Sequence, residues 1–411
     1  MKRFIGRIAV FALTLALAFA AAASAESDVL DPQQLYEIGM RYYDGVDSGG
    51  VRDFTHALQY LTEAAELGNS DAQYRLGYMY RYALGVEENF EEAAKWYRRS
   101  AEQGNGAAQN NLGLMYENGR GVEQSYEEAA RWYHSSAEQG YFVAQCNLGY
   151  LYESGQGVVQ SYEEAVKWYR LSADQNYDRA QCDMGWMYES GQGVEQDLEE
   201  AVRWYRLSAE QGFKRAQCNL AYMYEQGRGV EQSYEEAVKW YRLSADQGFG
   251  RAMNNLGYLY EHGLGVEQDE EEAQRLYRMS AERGHDWGQI NRGMMYRDGI
   301  GVEQDFVLAA EWFRLAAEQG NPNAQSSLGT LYEYGQGVTQ DFAEALKWYT
   351  LAAEQGNAQG QYGLGEMYEA GKGVEPDLER AMEMYRLAAE QGLERAANKL
   401  AKLEGTEDLE D

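Results

Sequence analysis

The feature that most constrains this chain is a string that returns at one fixed interval. Gly-x-Gly-Val begins at Gly119, Gly155, Gly191, Gly227, Gly263, Gly299, Gly335 and Gly371, with a degenerate Leu84-Gly85-Val86 ahead of them, always 36 residues apart. Self-similarity at such a period is the mark of stacked supersecondary units. Nine units tile the chain without an insertion, at 71–106, 107–142, 143–178, 179–214, 215–250, 251–286, 287–322, 323–358 and 359–394. A degenerate unit with a longer loop precedes them in the N-terminal segment 26–70, and a lone basic helix with an acidic tail, 395–411, follows. Both read as caps whose outer face meets water.

One unit predicts two helices. In 107–142, Ala108, Leu112, Met115 and Tyr116 recur at helical spacing, and Gly119 is placed to end that helix in a left-handed cap. Ser125 with Glu128 reads as a capping box that starts the second helix, repeated as Asn89/Glu92, Ser161/Glu164, Asp197/Glu200, Ser233/Glu236, Asp269/Glu272 and Asp341/Glu344. Ala129, Trp132, Tyr133 and Ala137 form its inner face, and Gly140 ends it. Outward, a Glu four residues before a Lys or Arg predicts ion pairs Glu91/Lys95, Glu127/Arg131, Glu163/Lys167, Glu199/Arg203 and Glu235/Lys239. A pair of short helices cannot bury its own apolar stripe, so the units must stack. The expected fold is all-α, a right-handed α-solenoid of about ten helix-turn-helix repeats of 36 residues with a concave and a convex surface.

The first residues predict a different fate. Lys2, Arg3 and Arg7, an apolar run over 8–20 and Ala23-Ser24-Ala25 before Glu26 read as a secretory signal peptide over 1–25. The run is short for a bilayer span, so the mature chain is expected to be exported, to the bacterial periplasm or beyond, without membrane insertion. The formal net charge is -31, from 67 acids and 36 Lys and Arg; removing the three leader cations makes it -34. Such an excess argues against nucleic acid as a partner, which would be approached against repulsion.

The consensus A-Q-x-x-L-G-x-M-Y-E-x-G-x-G-V-x-Q-[SD]-x-E-E-A-x-x-W-Y-x-x-[SA]-A-E-Q-G resembles the Sel1-like repeat, a relative of the tetratricopeptide repeat. The resemblance implies a helix pair per unit and an adaptor or scaffold that assembles other macromolecules. Exported bacterial members are associated with signalling, envelope assembly, polysaccharide export and host interaction. A cysteine-rich subfamily, linked to β-lactam binding, carries a Cys pair in each repeat.

This chain departs from that subfamily. Its Cys146, Cys182 and Cys218 fall singly, 36 residues apart, at one position of the first helix. Equivalent positions on packed helices lie about 8–10 Å apart, beyond the roughly 7 Å between Cα atoms that a disulfide spans. They are expected to be free thiols, with neither a disulfide nor zinc. His56, His134, His262 and His285 lie in separate units without metal-ligand spacing, and no His-Glu-x-x-His occurs. Ser-x-x-Lys, Ser-Asp-Asn and Lys-Thr-Gly are also missing. Gly-x-Gly-Val lacks the preceding strand and following Lys of a phosphate loop, and the acidic turns lack calcium-loop spacing. No cofactor and no metal are expected.

The informative variation lies on the first helix, where unit positions 1, 5, 8 and 12 share one face apart from the repeated Ala, Leu and Tyr. Position 5 carries Arg75, Asn111, Asn147, Asp183, Asn219, Asn255 and Asn291; position 8 carries Tyr78, Leu114, Tyr150, Trp186, Tyr222, Tyr258 and Met294. By analogy with tetratricopeptide solenoids this stripe lines the concave groove. The amides offer donors and acceptors to an extended peptide or a glycan, and the aromatics offer flat contact area. Equally open is a packing role, with the aromatics between repeats and the amides bonded to neighbouring backbone. The functional expectation is a non-enzymatic scaffold for a protein or peptide, less so a cell-wall glycan. Its rivals are a β-lactam or peptidoglycan hydrolase, for which Asp183 and His262 are the only concave titratable residues to offer, and a rigid spacer in an envelope complex.

Overall fold

The computed structural model describes residues 30–405, so the leader over 1–25 and the end of the acidic tail lie outside the described residues. The chain divides into two compact units after Gln196. In the first, helix pairs α1 (Pro32–Asp44) and α2 (Phe54–Glu66), α3 (Ser70–Arg81) and α4 (Phe90–Glu102), α5 (Gly106–Asn118) and α6 (Tyr126–Glu138), and α7 (Phe142–Ser154) and α8 (Tyr162–Ala173) precede α9 (Asp178–Ser190). The second begins with α10 (Leu198–Glu210) and continues with α11 (Lys214–Gln226), α12 (Tyr234–Asp246), α13 (Gly250–His262), α14 (Glu270–Glu282) and α15 (Asp286–Asp298). It ends with α16 (Phe306–Glu318), α17 (Pro322–Tyr334), α18 (Phe342–Glu354), α19 (Ala358–Ala370), α20 (Leu378–Glu390) and α21 (Glu394–Glu404). No strand occurs among the described residues, and the architecture is an all-α solenoid of stacked helix pairs.

The core is a chain of local clusters. Ala129, Ala130, Tyr133 and Ala137 of α6 pack with Ala144, Leu148 and Leu151 of α7 and reach Trp168 of α8. The same three-helix arrangement recurs where Ala309, Ala310, Phe313 and Ala316 of α16 meet Leu328 of α17 and Trp348 of α18. Within each compact unit, helices are therefore held chiefly by their neighbours in sequence, the nearest-neighbour economy of a repeat protein.

The caps follow the sequence, with one correction. First helices end at left-handed glycines such as Gly119 and Gly155, and second helices start at Asn89, Ser125, Ser161, Asp197, Ser233, Asp269 and Asp341, whose side chains accept from the third backbone N–H. The reciprocal half of the expected box does not form at the caps where the backbone N–H partner is shown. The cap's own N–H already donates to a tyrosine carbonyl of the preceding helix, as in Asn89 to Tyr80 and Ser125 to Tyr116, both 3.0 Å. The third-position Glu is thereby free to reach outward. It takes the base that the sequence assigned to its predecessor: the pairs are Glu92–Lys95, Glu128–Arg131, Glu164–Lys167, Glu200–Arg203 and Glu236–Lys239, at i and i+3. The expected i,i+4 pairs from Glu91, Glu127, Glu163, Glu199 and Glu235 are not made. Glu127, Glu163 and Glu235 instead accept from the cap hydroxyls of Ser125, Ser161 and Ser233.

Three polar ladders fix the spacing between helix pairs. Gln139 donates to Gln109 at 2.7 Å, while Gln109 donates to the Ala101 carbonyl at 3.1 Å and so ties one unit to the last. Ser136 donates to the Gly106 carbonyl at 2.7 Å. Arg170 reaches the Tyr188 hydroxyl of the next unit at 2.5 Å, and Arg206 and Arg314 repeat the contact with Tyr224 and Tyr332. Buried polar groups of this kind cost little when every partner is met and much when one is lost.

Candidate binding face

On the first helices, the stripe at positions 5 and 8 separates into two behaviours. The amides are partnered across repeats. Asn147 donates to Asn110 of the preceding unit at 3.1 Å, and Asn291 repeats the bond to Asn254 at 2.9 Å. Asn255 donates to the Tyr241 hydroxyl, and Asn219 accepts from Arg251. Asn111 lies beside Tyr74 of the preceding unit. Asp183 is buried, accepts from the Cys146 thiol at 3.6 Å and stands 4.0 Å from Arg179. The aromatics behave otherwise. Tyr150 and Trp186 in the first compact unit and Tyr258 in the second are exposed, at 39%, 45% and 45%. Tyr78, Leu114, Tyr222 and Met294 are half-buried. Tyr78 lies against Tyr82, and Tyr258 against His262, with ring centres 4.4 and 4.2 Å apart.

Beneath the stripe runs a bond that sequence reasoning missed. In six repeats the buried tyrosine of the second helix donates to the Glu at unit position 11: Tyr133 to Glu117, Tyr169 to Glu153, Tyr241 to Glu225, Tyr277 to Glu261 and Tyr385 to Glu369, at 2.5–2.6 Å, and Tyr349 to Glu333 at 2.9 Å. Burial, with the carboxylate beside it, holds the hydroxyls of Tyr133 and Tyr241 far above their ordinary range, so they stay protonated donors. The signal lay in the exceptions: unit 287–322 has Phe313 in place of the tyrosine and Arg297 in place of the glutamate, with Arg297 turned to Asp298 at 2.6 Å, whereas unit 71–106 keeps Tyr97 and has Arg81 in place of the glutamate.

The remaining chemistry-bearing residues do not converge. His56 bonds Asp53, His134 lies edge-on to Trp168, and His285 caps α15. Asp183 and His262 belong to different compact units. Cys146, Cys182 and Cys218 are buried and free of disulfides, and burial pushes the Cys218 thiol up to about 11. Among the described residues no group of three His, Cys, Asp or Glu is placed to hold a metal, and no helix is long and apolar enough to cross a membrane.

Comparison with known proteins agrees with this architecture. The Sel1 repeat family model matches ten times, at 35–69, 70–105, 106–141, 143–177, 178–213, 214–249, 250–285, 288–321, 322–357 and 358–393. The chain is similar to the crystal structure of c5321, a protective antigen present in uropathogenic Escherichia coli strains displaying an SLR fold, at 36% identity and a TM-score of 0.67. That likeness covers 93% of this chain and 81% of the other. A Sel1 repeat protein from Oxalobacter formigenes is also 36% identical, with a TM-score of 0.55 over 59% of this chain and 96% of its own. No curated protein matches. With ten matched repeats spanning nearly all the described helices, the chain belongs to the Sel1 repeat family.

Proposed function

We propose that the protein is an exported, non-enzymatic scaffold that binds a protein or peptide along its first-helix stripe. The observation that carries this reading is the exposure of Tyr150, Trp186 and Tyr258 at one repeat register. A large aromatic left in water at a repeated position costs solubility and contributes nothing to the core, whereas rigid amphipathic rings are what recognition surfaces use. The amides of Asn147 and Asn291 bond the preceding repeat and set the rings' spacing, so within this reading contact belongs to position 8 and positioning to position 5. The acidic surface steers basic partners toward the face.

Alanine substitution separates the roles. Tyr150→Ala with Trp186→Ala is expected to reduce partner capture at least roughly tenfold, as for a lost aromatic hot spot, with the melting temperature nearly unchanged. Unchanged capture in that folded variant overturns the assignment. Turnover of nitrocefin or peptidoglycan by the purified mature protein, abolished by a stripe substitution, overturns the non-enzymatic reading.

A further inference from the structure

The stripe changes character in the last two repeats, and there it opens into a cavity. At position 5, asparagine gives way to Ser327 and Gly363; at position 8, the bulky side chain gives way to Thr330 and Glu366. The space released is a pocket of about 480 Å³, walled by α15, α17, α19 and α21 within the second compact unit. Its size is that of one long side chain with room for water. Gly363 is needed for this shape, because a Cβ there would stand 2.5 Å from the Tyr349 ring.

The charges around the pocket are unequally satisfied. Glu333, only 2% exposed, accepts from Tyr349 at 2.9 Å and from Lys372 at 2.8 Å. Arg297 is paired with Asp298, and Arg395 lies 4.2 Å over the Tyr362 ring and donates to Gln359. Glu366 accepts one hydrogen bond, from the Tyr362 hydroxyl at 3.1 Å. Burial raises its carboxyl above the usual range, reinforced by the nearby Glu333 and opposed by that bond and by the more distant charges of Lys399 and Arg395, neither of which bonds it. Lys399 bonds Glu369 and Arg395 lies over Tyr362, so Glu366, half withdrawn from water, holds one neutral donor and no cation in bonding contact. Two exposed rings, Trp287 at 46% and Tyr334 at 57%, also line the pocket.

We propose that this pocket receives a Lys or Arg side chain of a bound peptide, its cation on Glu366 and its methylene stem against Tyr334 and Trp287. The proposal rests on the scaffold reading above and adds to it the class of residue the partner presents. A side chain so placed gains a charge-assisted bond for its cation and apolar contact with two rings for its stem. The net negative charge of the whole chain favours its approach.

A phage-displayed random peptide pool, selected on the full-length mature protein, supplies the probe. Wild type is expected to enrich peptides with a fixed Lys or Arg. Glu366→Gln should cut that preference about tenfold while selection for aromatic-compatible sequences persists, and Glu366→Lys should invert it toward Asp or Glu. Thr330→Tyr fills the cavity with a ring of the kind position 8 carries elsewhere, at the loss of the Thr330 bond to the Tyr349 hydroxyl, so it should abolish the preference in a protein that still unfolds cooperatively. Failure of wild type to select any peptide sinks the scaffold reading and this one together. Selection without a Lys or Arg preference, or a preference that survives Glu366→Gln and Thr330→Tyr, overturns the pocket alone.

Discussion

Gly121 and Gly140 both sit in left-handed backbone, at φ +70° and +86°, yet an added methyl would meet different surroundings. At Gly140 nothing lies within 4 Å of the added carbon, whereas at Gly121 it would stand 2.1 Å from the Phe90 carbonyl oxygen and 2.2 Å from its carbon, at the start of α4 in the preceding repeat. Gly140→Ala therefore costs only the conformational penalty, about 1–2 kcal/mol. The chain itself tolerates this, since Asn176 occupies the equivalent place at φ +65°. At Gly121 a carbon wants roughly 3.5 Å to its neighbour, so the first turn of α4 must retreat by more than about 1 Å. Overpacking of that kind adds about 1–3 kcal/mol, for a total of about 2–5 kcal/mol. Urea unfolding followed by tryptophan fluorescence measures the difference between the two variants, and hydrogen exchange shows whether loosening centres on the junction of α4 with the following turn. A Gly121→Ala protein no less stable than Gly140→Ala would refute the argument that this glycine exists for the close approach of successive repeats.

Four further outcomes follow from the same structure. Tyr241→Phe removes the donor to Glu225 and the acceptor of Asn255, so urea unfolding should show a loss of about 2 kcal/mol; a loss under roughly 0.5 kcal/mol means the buried bond is not a stability determinant. The three thiols should react with Ellman's reagent at pH 8 only in denaturant, because all three are buried and the Cys218 thiol is pushed up to about 11; rapid reaction of the native protein contradicts that. His285 is half-buried, and burial holds its pKa below the ordinary imidazole value. Its neutral form thus belongs to the folded state, and stability should fall as pH drops below about 6.5, where the unfolded chain takes up the proton first. The urea midpoint should fall between pH 7.5 and 5.5 more in wild type than in His285→Asn; equal falls dismiss the residue. Sequencing of exported protein should begin at Glu26, and a blocked or earlier start removes the leader reading.

What the sequence disclosed and withheld divides along physical lines. The helix pairs, the glycine stops and the capping side chains are local events governed by a few adjacent residues, so they were readable from one unit. Partners set by stacking were not. Glu92 and Lys95 pair because the Asn89 N–H is occupied by Tyr80 across the turn, which no spacing within the helix reveals. The Tyr–Glu bond shows in the sequence only as the joint loss of both partners at Phe313 and Arg297, a pattern that Tyr97 with Arg81 does not follow. The stripe was placed on one face by helical geometry, but Asn147 and Tyr150 differ in exposure for reasons of depth. The pocket is not legible in the position-8 run from Tyr78 to Met294, because a cavity arises only where Thr330 and Glu366 of the last two repeats leave the space a larger side chain fills elsewhere.

The central claim, that position-8 rings make a protein-binding face, is tested most directly by crosslinking. A photoreactive amino acid placed at position 186, irradiated in cells that make the protein and followed by mass spectrometry, should yield discrete protein adducts. The same residue at outward-facing Arg131, which pairs only with Glu128 among its ion-pair partners, should yield few. Equal labelling from both positions, or no protein adduct from 186, would contradict the account.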